Sequence, residues 1–252
     1  MTPPADLSVV VVLPTYNNAG TLPAILAQVE ELGQAVIVVD DGSTDATPQA
    51  LTKWLGQEHR VPVETLRHPA NRGKAAALRT AFSHAAQRGF THAATIDTDG
   101  QHDVEETRRL IAQAYQHPQA LVLGVRQGGA TVAPGRHRLG RTVSDWLAGK
   151  AAGRPLADSQ CGQRVYPLHV IAALPCRAGR YAYETEILIL AARRGLPLIE
   201  EPVTTRYLPP GQRVSHFRPV LDSSRWLLVM LRLIVTSSRN RASGSEAAHL
   251  SR

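Results

Sequence analysis

The sequence predicts an α/β fold with a mostly parallel central sheet and helices on both faces. Three observations carry that expectation. Short β-branched runs such as Leu7–Leu13 and Ala35–Val39 are almost continuously apolar, the pattern of strands covered on both faces. They alternate with segments of helical composition, the order that winds parallel strands through crossover helices. Four polar motifs, at Pro14, Asp40, Asp97 and Arg126, leave such runs at the same end, the carboxyl edge where open α/β sheets hold ligands.

The first strand, Leu7–Leu13, ends in Pro14-Thr15-Tyr16-Asn17-Asn18. Thr21 is placed to cap a helix with Pro23 in its first turn, running to about Leu32 and stopped by Gly33. A second strand, Ala35–Val39, ends in Asp40-Asp41-Gly42-Ser43-Thr44-Asp45, and a helix runs from about Ala46 to Gly56. Val61–Leu66 is the third strand. Asn71-Arg72-Gly73-Lys74 then opens an Ala-rich helix through Gln87. His92–Ile96 delivers Asp97-Thr98-Asp99-Gly100-Gln101-His102, and Asp103 with Glu106 reads as a capping box for a helix ending near His117. Ala120–Val125 is the fifth strand.

The Gly-rich basic stretch Arg126–Arg138 reads as a mobile loop before a helix over Leu139–Ala152. Asp158–Arg164 precedes a short strand at Val165-Tyr166, Tyr183 to Glu186 opens an apolar helix to Arg194, and Leu198–Tyr207 is a strand broken by Pro209-Pro210-Gly211. The expected organisation is one domain over residues 1–222, an apolar helix over 223–237, and a tail over 238–252 with the composition of disorder. No internal repeat interrupts it.

Bulk properties narrow the function. A formal charge of +7 and a pI near 9.9 suggest an anionic partner, and much of the excess falls after Gly124. That asymmetry favours a phosphate-bearing substrate or an anionic membrane surface over nucleic acid, as do only three Phe and no aromatic-rich basic strand. Cys161 and Cys176 lack metal-ligand spacing and fit a reducing compartment. The N-terminus has no basic region ahead of its apolar run, and no stretch reaches the roughly 18 apolar residues of a membrane span. The expectation is cytoplasmic residence, peripheral to the inner face of the cell membrane.

Asp97 and Asp99, spaced i, i+2 in extended chain, share a face and can converge on one cation. Oxygen-only ligands favour Mg²⁺ or Mn²⁺ over zinc, with Gln101 able to complete the set. Lys74, at a helix start, pairs a cation with backbone N–H groups, an arrangement suited to phosphate. Arg126, with Arg136 and Arg138 behind it, can take a phosphate in bidentate fashion. Glu184 and Glu186 stand two apart on one helix, so only one of them is expected to face inward.

The ordered set Pro14-x-Tyr16-Asn17, Asp40-Asp41-Gly42-Ser43-x-Asp45, Asn71-x-Gly73-Lys74, Asp97-x-Asp99-x-Gln101-His102, Gly124-x-Arg126, Asp158-Ser-Gln-Cys-Gly-x-Arg164 and Glu184-x-Glu186 resembles the family 2 glycosyltransferases of GT-A fold. Within them it is similar to the polyprenyl-phosphate (dolichol-phosphate type) mannosyl- and glucosyltransferases, over about residues 7 to 220. The resemblance implies a Rossmann-like sheet and transfer, with inversion, from a UDP- or GDP-linked sugar to a lipid-linked phosphate. It places Pro14, Tyr16, Asn17, Asp40, Asp41, Asp45, Lys74 and Asp97 on the donor. Arg126, Arg138, Arg164 and Glu184 fall to the acceptor, Asp97, Asp99 and Gln101 to the metal, and Asp97, Asp99, Asp158 and Arg126 to catalysis. The chain departs from the family at Asn18, where Glu is usual, and at Gln163, where Phe is common and a more polar acceptor pocket is therefore expected.

A phosphate acceptor needs no strong base, because its second pKa of roughly 6 leaves it ionised at neutral pH. A hydroxyl of another lipid or glycan would need one, and Asp158 or a Glu of the 184–186 pair would serve. A nucleotide-sugar-binding protein without catalysis is the non-enzyme alternative. Within the segment from Ser223 to Thr236, the run from Trp226 to Val235 is about half a membrane span, with Trp226 suited to the headgroup boundary and Arg225, Arg232 and Arg239 to anionic lipid. It is expected to dock on anionic lipid; the alternatives are the protein's own core or a second subunit in a homodimer.

Overall fold

A computed structural model describes residues 7–127, 135–205 and 222–236, with the side chains of 135–139 outside that set. Seven strands form one sheet in the order β3-β2-β1-β4-β6-β5-β7. They are β1 Val9–Thr15, β2 Ala35–Asp40, β3 Val63–Arg67, β4 His92–Thr95, β5 Leu121–Gln127, β6 Arg164–Pro167 and β7 Leu198–Thr204. Pairing is parallel except at β6, which runs antiparallel to both β4 and β5. The helices are α1 Leu22–Glu30, α2 Thr47–Leu55, α3 Lys74–Gln87, α4 Glu106–Gln116, α5 Gly135–Ala152, α6 Leu168–Ala172, α7 Ala182–Arg193 and α8 over 222–236.

Alternation along the strands divides the core in two. Val10, Val12, Ile37, Val39 and Ala93 point to one face and pack with α3, α7 and Met230 and Leu233 of α8. Val9, Val11, Leu13, Val36, Val38 and Ala94 point to the other and pack with α1, α2 and α4. Every residue of β1 is buried, which is why its sequence shows no polar alternation.

Several boundaries differ from the expected ones for physical reasons. The capping box at Asp103 does not form: α4 begins at Glu106, and Asp103 Oδ1 accepts the Glu105 N–H in a local turn instead. Thr21 sits at the α1 N-cap, but its hydroxyl donates to Thr98 O at 2.6 Å, tying that helix to the tip of β4. α5 begins at Gly135, so residues 135–138 belong to a helix rather than to the expected loop. β7 stops at Thr204, Thr205 forms an isolated bridge with His102, and the rest of the expected strand, 206–207, lies outside the described residues. The expected loop over 128–134 and the tail after 236 lie outside the described residues.

Candidate active site

The acidic tip leaves the end of β4 beside the ends of β1 and β2. Between its two carboxylates Thr98 turns the other way, is buried, and donates to Pro14 O at 3.1 Å while accepting Asn18 Nδ2 at 2.7 Å. The chain leaves through Gly100 at φ 77, a left-handed conformation that favours glycine. Asp97 and Asp99 are thereby presented by a stapled loop.

Asp97 is held on both oxygens. Lys74 Nζ lies 2.6 Å from Oδ1, and His102 Nε2 lies 4.0 Å from Oδ2. Gly162 closes in from the start of β6, and a Cβ there would overlap the Asp97 carboxylate. Burial would raise the Asp97 carboxyl, but Lys74, His102 and Arg164 outweigh it and hold the group below its ordinary value. Asp99 is the opposite case: burial and the Asp97 charge push it up, against one hydrogen bond from the Gln101 N–H at 3.0 Å. A carboxyl raised by a neighbouring carboxylate is where a divalent cation would be most stabilising. Two carboxylates with a substrate phosphate is a common Mg²⁺ arrangement, so the donor set fits such an ion. Among the described residues no group of three or more His, Cys, Asp or Glu side chains could hold a metal alone.

The residues expected at the nucleotide have a second task in shaping its loops. Asp40 Oδ1 accepts the Ser43 N–H at 2.8 Å, and its other oxygen faces Arg67 Nε at 3.3 Å. Asp41 accepts the N–H groups of Arg72 and Gly73 at 3.0 and 2.7 Å and pairs with His68 at 2.6 Å, so it shapes the loop that carries Lys74. Asp45 accepts the Thr47 and Ala19 N–H groups. Asn17, at φ 51, receives the Thr44 N–H on its side chain at 2.8 Å. Pro14 is buried within β1 and Tyr16 is half-buried beside it. Lys74 is half-buried between two carboxylates, its second partner being Glu184 Oε2 at 2.9 Å.

On the other side, Arg126 makes a two-pronged contact with Asp158, Nε to Oδ2 at 2.6 Å and Nη2 to Oδ1 at 2.8 Å. Asp158 also accepts the backbone N–H groups of Arg126, Gln160 and Cys161. Burial would raise it, but Arg126 and those donors hold it below its ordinary value. Both of its oxygens are thus committed to Arg126 and to backbone N–H groups.

Three expectations on this side are corrected. Arg164 is 1% exposed and donates to the carbonyls of Cys161, Glu184 and Ser159 at 2.8 Å each, so it braces the site from beneath instead of facing an acceptor. Gln163 turns toward α4, donating to Asp103 O and Thr107 Oγ1, and lines no acceptor pocket. Glu184 and Glu186 are both buried, because Glu184 faces Lys74 while Glu186 accepts the N–H groups of Arg177 and Ala178. Gln101 stands at the tip with its backbone bonded to Asp99. The Arg138 side chain lies outside the described residues.

Sequence reasoning missed the Glu184–Lys74 pair and the Gly162 cradle. Both depend on approaches between residues roughly 65 to 110 apart, and the one local signal was the glycine within Asp158–Arg164.

The model of the family described as glycosyl transferase family 2 matches residues 10–177. A polyprenol monophosphomannose synthase of Mycolicibacterium smegmatis is 29% identical over 202 residues, 77% of this chain and 76% of that one. A UDP-N-acetylglucosamine–dolichyl-phosphate N-acetylglucosaminyltransferase of Methanococcus voltae is 26% identical over 219 residues, 81% of this chain and 87% of its own. Among solved structures, glucosyl-3-phosphoglycerate synthase from Mycobacterium tuberculosis in complex with Mn²⁺, UDP and phosphoglyceric acid superposes with a TM-score of 0.61 at 21% identity. That match covers 94% of this chain and 79% of the synthase, and at this identity it establishes the shared GT-A fold.

Proposed function

The chain belongs to glycosyl transferase family 2, and from that premise we propose that it moves a sugar from a UDP- or GDP-linked donor to a polyprenyl phosphate or a similar lipid-linked phosphate, inverting the anomeric centre with Mg²⁺ or Mn²⁺. The observation that carries this reading is Asp97 and Asp99 at the carboxyl edge of β4 with Lys74 between Asp97 and Glu184. Two relatives whose names specify polyprenol and dolichyl phosphate point to the acceptor class.

When bound, the metal would neutralise charge on the departing diphosphate. Asp97 and Asp99, with Gln101 alongside, are the residues to hold it. Asp40, Asp41 and Asp45 shape the loops for the nucleoside, with Pro14, Tyr16 and Asn17 beside them. Arg126, oriented by Asp158, binds the acceptor phosphate, with Arg138 proposed to assist. The low carboxyl of Asp158 favours a phosphate over a hydroxyl acceptor, because an ionised phosphate oxygen attacks without a base to deprotonate it.

α8 is the proposed contact with an anionic membrane surface. Leu227, Leu228, Leu231 and Val235 are 43 to 66% exposed on the side of the helix away from Met230 and Leu233, which are buried. Arg225 and Arg232 flank them, and both are exposed. No helix among the described residues is long and apolar enough to cross a membrane. A homodimer contact through the same face is the alternative. The function is tested by offering UDP- and GDP-sugars with Mn²⁺ to polyprenyl phosphate and to the free prenol. Transfer to the phosphate alone is expected; efficient transfer to the free alcohol would favour the hydroxyl reading.

A further inference from the structure

Three elements converge on one ammonium. Lys74 comes from the first turn of α3, Asp97 from the tip of β4 and Glu184 from the first turn of α7, and their side chains are 14%, 26% and 8% exposed. Glu184 directs Oε2 to Lys74 at 2.9 Å, while Oε1 is buried without a hydrogen-bond partner. Two carboxylate oxygens within 2.9 Å give this ammonium its counter-charge.

An ammonium 2.6 Å from Asp97 Oδ1 competes with any divalent cation for that carboxylate, since like charges at such range repel. Resting on the donor site proposed above, we propose that Lys74, oriented by Glu184, is a positioning residue that couples divalent-cation binding to nucleotide binding. It neutralises Asp97 until a nucleoside diphosphate offers a phosphate oxygen, and its shift to that phosphate frees Asp97 for the cation. A buried ammonium without an anion is strongly disfavoured, so Lys74 exchanges one anion for the other rather than leaving both. Cation and nucleotide then bind cooperatively, each raising the other's affinity by the same factor.

The test measures Mn²⁺ binding to the full chain through the EPR signal of free Mn²⁺, without nucleotide, with saturating UDP, and with saturating GDP. Lys74→Met should tighten nucleotide-free binding about tenfold and shrink the gain on adding nucleotide by a similar factor. Glu184→Gln leaves Asp97 as the one carboxylate on Lys74 and should weaken nucleotide-free binding about threefold. Opposite shifts from two touching residues are not expected of a purely structural pair. Unchanged or weaker nucleotide-free binding in Lys74→Met overturns the coupling role and leaves the donor site standing. Should that variant not fold, unchanged or tighter binding in Glu184→Gln does the same. No Mn²⁺ uptake by the parent chain under any of the three conditions removes the metal site and the coupling role together.

Discussion

Asp99 is half-buried at the loop tip, and the hydrogen bond its side chain accepts among the described residues comes from the Gln101 N–H. Asp99→Asn should therefore lower turnover about a hundredfold while shifting stability by less than about 1 kcal/mol. Parent activity that persists in excess EDTA would remove the metal assignment. Arg126→Ala should raise the acceptor KM far more than the donor KM, because the guanidinium it removes is the group proposed to bind the acceptor phosphate. It also strands the buried Asp158 charge, at a cost of about 3 kcal/mol. Asp158 sets a pH signature too. Its folded value lies below the ordinary 3.8, so its stabilisation is complete above that value and is lost as pH falls through the lower folded one. The stability gap between the parent and Asp158→Asn should be flat from about pH 5 to 8 and close only below about pH 4, as read by chemical denaturation.

At the scale of elements, the loop after β2 was legible as a motif but not as a geometry. Gly42 stands at φ 73 with the Ala70–Asn71 backbone against it, overlapping the place where a Cβ of residue 42 would sit. Gly42→Ala should thus cost more than the roughly 1 kcal/mol of a left-handed alanine, and a melting curve like that of the parent would show the loop to be looser. α8 was legible as a short apolar segment. That it is apolar on opposite sides, one packed with Met230 and Leu233 and one exposed through Leu228 and Leu231, required the fold. The double substitution Leu228→Ser with Leu231→Ser should abolish co-sedimentation with anionic liposomes and leave the melting temperature unchanged. Retained sedimentation would move the contact elsewhere.

For the molecule as a whole, both helical layers meet at the same sheet edge, so a ligand there ties the two halves of the core together. Mn²⁺ with UDP or GDP should raise the melting temperature in a concentration-dependent way, because binding to the folded state stabilises it by mass action. The nucleotide giving the larger shift identifies the donor class; no shift with either would argue against the nucleotide site. The formal charge of +7 adds a salt test: liposome association should weaken steeply as ionic strength rises, since screening shortens the reach of surface charge.

The sequence by itself determined the alternation of strands and helices and the edge at which the motifs gather, because both follow from periodicity and chain order. It determined the family as well, through an ordered set of short motifs. Only the tertiary structure decided which partners the charged residues meet. Arg164, Asp158 and Glu184 look alike as motif letters, yet the first is buried on three carbonyls, the second is paired with Arg126, and the third faces Lys74. Likewise β6 enters the sheet antiparallel between β4 and β5, which brings Gly162 against Asp97. Whether a charged side chain serves as ligand or brace depends on partners distant in sequence, and burial, which only the folded chain has, decides how strongly each pair is held.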